Sequence, residues 1–415
     1  MIYGILNNEF FIVENPFHIF AVKLSHPLSS ANNCLTSMRK HIIAFILIAI
    51  SSSAFTQSDT LSKPKTRKYS KVWNLSFEQG AMLGNGTEVG DQLAEASYYN
   101  GLDFRLGFHI NDHSDIYNQV YRFPIMGIGW YSSTFEREEI GKPNAIYYYF
   151  DMPIRFERSR KLTMSYIGAF GLSYNFNPYD EVSNPGDVFI GSYRNCYVNL
   201  ALLLNYNVTP KWTASLSVGF KHFSNGSFKQ PNYGINLVPV AVSVSYKPTA
   251  YKPFIGGKNI PKFIWFNQYN IALIAGSKNY SEGDPNYLKA ALSINWLRAL
   301  SYKYKAGLGL DIFYAGGYKE RNNSKATFSN TMSYAVVGSW EWALNKHLYV
   351  PVAFAVYLKH SESNGERDPF YERVGIRYRF NNNIFAGLTI KAHKGVADIF
   401  EWTIGYTLKH DQNKY

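Results

Sequence analysis

Residues 371–380 read YERVGIRYRF. Val374, Ile376, Tyr378 and Phe380 fall on one parity, and Arg373, Arg377 and Arg379 on the other. Successive side chains of a strand point to opposite faces, so a period of two gives this segment one apolar and one polar side. The same period runs through AIYYYFDMPIRFE (145–157), with Ile146, Tyr148, Phe150, Met152, Ile154 and Phe156 opposite Asp151, Arg155 and Glu157. It returns in 398–408, where Phe400, Trp402, Ile404, Tyr406 and Leu408 oppose Glu401 and Thr403. Strands of soluble sandwiches average about 5–6 residues, and these alternations run roughly twice as long, as membrane barrels require.

The whole chain fits that reading. Among its 415 residues 17% are aromatic, led by 33 Tyr and 29 Phe, yet mean hydropathy is slightly negative. A barrel strand is apolar on one face only, which reconciles the two. The net charge of +12 is spread over strand ends and turns, without the concentrated basic stripe that nucleic acid would call for. Such a spread suits an anionic lipid surface. Cys34 and Cys196 are the two cysteines, too few for a disulfide framework or a cysteine metal site.

Met38-Arg39-Lys40-His41, the apolar run 42–50 and the small residues Ser51–Ala54 follow the order of a secretory signal. The run is too short for a spanning helix, which needs about 20 residues. The reading is therefore an upstream start at 1–37, a signal peptide at 38–54, a lead-in at 55–70 and barrel from 71 onward. Strands are expected to begin near 71, 97, 116, 145, 161, 193, 211, 235, 262, 287, 302, 328, 347, 371, 384 and 398. These define an all-β, antiparallel transmembrane outer-membrane β-barrel of about 16 strands. Short turns such as NDHSD, ERSR, NVTP, LNK and NNN alternate with long polar loops, the asymmetry of periplasmic and external connections. The Pro/Gly-rich stretch 247–262 interrupts the sequence after the eighth strand. One closed barrel is preferred, because the loop alternation continues past it; two eight-stranded barrels, split as 71–248 and 249–415, are the alternative.

One stretch carries chemistry. In 211–224 Trp212, Ala214, Leu216, Val218 and Phe220 share the apolar parity, and His222 and Ser224 continue it. Asn236 begins the apolar row of the next strand, Val238, Val240, Val242, Val244 and Tyr246. Paired strands lie about 4.8 Å apart, so the three polar groups converge on the lipid-facing rim. A water-soluble hydrolase would have no reason to place them there.

HFSNGSFKQPNYGIN (222–236) resembles the outer-membrane lipid A deacylases of the PagL type, also described as acyloxyacyl-hydrolase-like. The resemblance is specific in that stretch and extends more loosely over 73–248, since that family's barrel has eight strands; the remainder is an extension that short members lack. It implies a Ser-His-Glu triad that hydrolyses an ester-linked acyl chain of lipid A in the outer leaflet, with no cofactor or metal. Carried over residue by residue, the nucleophile is Ser224 and the general base His222. Asn225 supplies an oxyanion N–H, helped by Gly226, and Asn232 is a supporting residue. The Glu position falls on Asn236, a departure: an amide oxygen can fix the histidine tautomer but carries no charge. The implied partners are lipid A or lipopolysaccharide and outer-membrane lipid, and no pattern specifies an oligomeric state.

Other polar groups carry less. His360 lies on an outward row, but its serines have the wrong parity. His393 and Glu401 have lumen parity, whereas Asp398 reads as outward. Lys221 and Lys229 read as loop lysines able to attract phosphate, and KHSESNG (359–365) echoes KHFSNG (221–226). No zinc-protease or phosphate-loop motif occurs. The rival functions are a passive pore lined by Arg373, Arg377 and Arg379, and an inactive member of the deacylase family.

Overall fold

The computed structural model describes residues 10–15, 18–23, 69–110, 112, 114–154, 161–248 and 260–410. The expected signal, 38–54, lies outside the described residues, as does nearly all of the lead-in. Within the unit Met1–Lys65, β1 (Phe10–Asn15) and β2 (His18–Lys23) pair as an antiparallel hairpin.

The unit Thr66–Tyr415 holds sixteen antiparallel strands in two closed barrels of eight. The first comprises β3 (Tyr69–Leu83), β4 (Tyr99–Ile110), β5 (Ile125–Thr134), β6 (Gly141–Ile154), β7 (Leu162–Phe176), β8 (Arg194–Asn207), β9 (Trp212–Ser224) and β10 (Ile235–Tyr246). The second comprises β11 (Asn267–Lys278), β12 (Tyr287–Ala299), β13 (Tyr304–Ala315), β14 (Met332–Ala343), β15 (Leu348–Lys359), β16 (Phe370–Arg379), β17 (Ile384–His393) and β18 (Val396–His410). The preference for one sixteen-stranded closure is therefore corrected to the two-barrel alternative. β10 pairs with β3, from Asn236↔Leu83 to Tyr246↔Trp73, and not with β11. β11 closes on β18 in the same way. Eight strands enclose a space that side chains can fill.

The third strand begins at Ile125 and not near 116. Residues Ile116–Val120 form a short helix, capped by the Asp115 carboxylate accepting from Tyr117 N–H at 2.8 Å. Arg122 and Phe123, with left-handed φ of +58° and +57°, then turn the chain before Pro124.

Outward rows are apolar and exposed in both barrels, as in Leu216, Val218 and Phe220 of β9 and Trp402, Ile404 and Tyr406 of β18. The lumens are filled differently. The first is packed with Tyr99, Tyr131, Tyr147, Tyr149, Tyr197, Phe176 and Phe223. The second is crossed by ion pairs. Arg373 bridges Asp311 (2.7 Å) and Glu401 (2.5 Å), and Glu341 takes Lys305 (2.8 Å) and Arg379 (3.2 Å). Asp398 takes Lys278, Lys289 and Lys391. Arg373, Arg377 and Arg379 point inward as their parity requires and are buried in contacts with Glu401, Thr403 and Glu341.

The barrels touch at both rims. At the short-turn rim Tyr121 donates to Ala343 O at 2.5 Å and accepts from Trp342 Nε1 at 2.7 Å. Phe150 and Tyr166 flank the Trp342 ring at 5.8 and 5.9 Å. Met152, on the lipid parity of β6, is buried in this cluster. The long-loop contact falls on the candidate site.

Candidate active site

The site strand β9 is anchored by the residues that alternate with the polar ones. Phe223, between His222 and Ser224, turns into the lumen, and its ring centroid lies 5.3 Å from Tyr197 and 5.6 Å from Phe176. Lys221 also turns inward, pairs with Glu78 and sits 4.6 Å over the Tyr131 ring. It is no loop lysine facing phosphate. Its alternation with His222 puts it on the lumen face, where Glu78 of β3 offsets the cost of its burial. Lys229 is exposed.

With Lys221 and Phe223 held inside, His222 and Ser224 must point outward. His222 stands directly opposite Asn236 across the β9–β10 ladder. The His222 Nδ1 to Asn236 Oδ1 distance is 2.7 Å, and the His222 Nε2 to Ser224 Oγ distance is 2.8 Å. An amide oxygen only accepts, so Nδ1 carries the hydrogen and Nε2 is left bare to accept the Ser224 hydroxyl proton. Ser224 and Asn236, brought beside His222 on parity, are thus each within hydrogen-bond reach of its ring. Ser224 is buried and His222 half-buried, and the β9–β10 loop (225–234) covers both. Gly234 has a left-handed φ of +78°, and a Cβ there would come within 2.7 Å of His222 Cε1.

The supporting residues assemble with one change. Asn225 N–H, the expected oxyanion donor, is given to Asn232 Oδ1 at 2.8 Å. The Asn225 side chain ties the loop to Ser192 Oγ (3.0 Å) and Lys229 O (2.9 Å). Two donors beside Ser224 have no partner among the described residues: the Gly226 amide and the buried Asn232 Nδ2. Unpaired buried donors are uncommon in folded proteins.

A neighbouring loop completes the cover. Residues 187–190 pack against 232–234 through Gly234 N–H to Phe189 O at 3.1 Å and an Ile190–Asn232 bridge. Asp187 Oδ1 accepts from Phe189 N at 2.9 Å and Ile190 N at 3.3 Å, while Oδ2 is buried without a partner among the described residues. Burial pushes the Asp187 carboxyl up to about 7, opposed by those two amides. Nothing in the sequence alternation singles out this residue, because it lies in a loop.

The weaker candidates separate from the site. His393 is in the second lumen, 3.3 Å from Tyr357 Oη, and Glu401 is paired with Arg373. Asp398 is inward and not outward. Between Lys391↔Ile399 and Ala392↔Ala397 the register slips by one, a bulge that resets the alternation at Asp398. His360 is exposed and donates from Nδ1 to Glu366 O at 3.1 Å. The KHSESNG echo follows β15, fifth in its barrel, whereas KHFSNG ends β9, seventh in the other, so the two are not equivalent positions. Among the described residues no group of acidic, histidine or cysteine side chains is arranged to hold a metal.

Comparison with known proteins supplies the family. The family model described as lipid A 3-O-deacylase (PagL) matches residues 64–245, and that described as acyloxyacyl hydrolase, C-terminal domain, matches 267–410. No curated protein matches. Among solved structures, the outer membrane enzyme PagL is 13% identical, covering 41% of this chain and 97% of its own, with a TM-score of 0.30. An outer membrane channel from Pseudomonas putida F1 is 8% identical over 85% of this chain and 100% of its own, with a TM-score of 0.18. The Pseudomonas putida toluene transporter TodX is 8% identical over 82% of this chain and 88% of its own, with a TM-score of 0.16. The two family matches divide as the two barrels do, and the chain belongs to the PagL-type lipid A deacylase family of outer-membrane β-barrel proteins.

Proposed function

We propose that this chain is a serine esterase that removes an ester-linked acyl chain from lipid A, or a closely related lipid, in the outer leaflet. The observation that carries the reading is the relay Ser224 Oγ, His222 Nε2, His222 Nδ1, Asn236 Oδ1, with links of 2.8 and 2.7 Å on a lipid-facing row. A soluble substrate would not meet these groups; an acyl ester at the membrane surface would.

His222 Nε2 takes the proton of Ser224 Oγ as the oxygen attacks the ester carbonyl carbon. The carbonyl oxygen becomes an oxyanion, received by the Gly226 amide and Asn232 Nδ2. Collapse breaks the carbon–oxygen bond to the sugar, and His222 returns the proton to the departing sugar hydroxyl. Water, losing its proton to Nε2, then attacks the acyl-serine carbonyl; the bond to Ser224 Oγ breaks, Nε2 returns the proton to that oxygen, and the fatty acid leaves. Asn236 holds the Nδ1–H tautomer through both halves without adding negative charge behind the imidazolium.

Mass spectrometry of lipid A from cells expressing the chain tests this. Loss of one acyl mass with the native chain, and its retention with Ser224→Ala at equal membrane level, is expected. Identical acylation in the two would overturn the reading.

A further inference from the structure

The second barrel is not simply appended beside the site. It reaches the loop that follows the nucleophile through four contacts, all within 225–230. The Phe400 ring of β18 lies against Gly226, so closely that a Cβ at that position would collide with it. Ser227 Oγ donates to Ala397 O at 2.8 Å, Asn279 N–H to Ser227 O at 3.0 Å, and Gln230 Nε2 to Asn279 O at 3.5 Å. Phe400, Ala397 and Asn279 belong to the long-loop end of β18 and β11.

What these contacts hold is a turn that the local sequence does not favour. Gly226 and Ser227 have φ of +62° and +59°, two left-handed residues in succession. Glycine takes that conformation freely; serine does so at a cost and persists there when its surroundings enforce it. Both oxygens of Ser227 are bonded to the second barrel, whereas the first barrel's own ties run through Asn225 and Asn232 and close the turn with one bond, Phe228 N–H to Asn225 O at 3.3 Å. The amide of Gly226 stands between these two sets of restraints, two residues after Ser224.

We propose that the second barrel is a positioning element for the site, with Phe400 and the Ser227 contacts setting the Gly226 amide where an oxyanion forms. The catalytic consequence rests on the esterase reading; the structural consequence does not.

Two measurements on the full chain in detergent micelles test the inference. In Phe400→Ala, amide hydrogen exchange across 225–234 rises about tenfold or more, while the strands of both barrels exchange as before. The turnover number kcat on purified lipopolysaccharide falls roughly tenfold to a hundredfold with KM within about twofold, as expected when a donor is displaced but the lipid surface is intact. Phe400→Leu, which retains a large apolar contact, restores most of both. Ser227→Ala shifts both in the same direction by less. Unchanged exchange in Phe400→Ala, or a loosened loop with unchanged kcat, overturns the proposal. Failure of the esterase reading would look different: native chain that never releases fatty acid, with the exchange result still deciding whether the second barrel holds the turn.

Discussion

The seventh strands of the two barrels, β9 and β17, start from the same plan and end differently. Each turns a lysine inward near its long-loop end: Lys221 to Glu78, and Lys391 to Asp398. In β9 the next outward positions are His222 and Ser224, and a ten-residue loop, 225–234, covers them. In β17 the outward position beside Lys391 is Ala392, the histidine at 393 faces the lumen, and a two-residue turn leads straight into β18. A shift of one position on a strand exchanges membrane face for lumen. The outward His, Ser and Asn grouping is therefore found at the seventh strand of the first barrel and not at that of the second, although both close on eight strands. The fillings follow the same division. Aromatic packing under β9 fixes a strand that must aim two polar groups at lipid, whereas the second barrel is cross-braced by ions. Its rim supplies a surface for the first to lean on.

Asn236 offers the sharpest way to break this contrast. Asn236→Ala removes the acceptor that fixes the His222 tautomer, and kcat should fall by about 10²- to 10⁴-fold, read as fatty acid release from lipopolysaccharide. Asn236→Glu supplies the charge the native side chain lacks, and kcat should rise by up to roughly tenfold. A native enzyme indifferent to Asn236→Ala would remove the site from β9 and β10 altogether.

Next in size is the brace of the second barrel. Arg373→Met leaves Asp311 and Glu401 buried without their partner, and loss of one member of a buried ion network costs about 3–5 kcal/mol. The heat-dependent mobility shift on electrophoresis should move to lower temperature. A second change, Glu401→Leu, should recover part of the loss. An Arg373→Met barrel as heat-resistant as the native one would mean that the ions do not brace it.

The smallest expected effect concerns Asp187, at the back of the site loop. Its carboxyl is held up at about 7 by burial, above the ordinary value of about 4. Between those values the folded chain keeps a proton that the unfolded chain has released, so stability declines as pH rises through that window and is level above it. Asp187→Asn retains the acceptor for the Phe189 and Ile190 amides and removes the titration. Its melting advantage over the native chain should be near zero at pH 4 and grow to a few degrees by pH 8. The same advantage at both pH values would contradict the burial account.

Much of the site was legible in 211–236 because alternation is a local property: a strand needs only its own residues to put His222 and Ser224 on one face. The partner Asn236 followed because β9 and β10 are joined by a single loop. The register that sets His222 opposite Asn236 agrees with that reading. What escaped detection shares a different character. Lys221 seemed free because Glu78 is 143 residues away in the chain. Asp398 seemed outward because a bulge costs one residue of register and leaves no mark in composition. The bond from the Asn225 amide to Asn232 is not legible either, because it depends on how the loop folds back.

Local residue order is enough for sixteen long two-period strands, the alternation of their faces and the outward row ending in His222 and Ser224. Double closure of the sheet, the ion networks on Asp311, Glu341 and Asp398 in the second lumen, the larger aromatic cluster in the first, and the contact of Phe400 with Gly226 came from the fold. The physical reason is range. Side-chain direction along a strand is set residue by residue, whereas closure depends on which distant edges leave the fewest unpaired backbone groups and the best-filled interior.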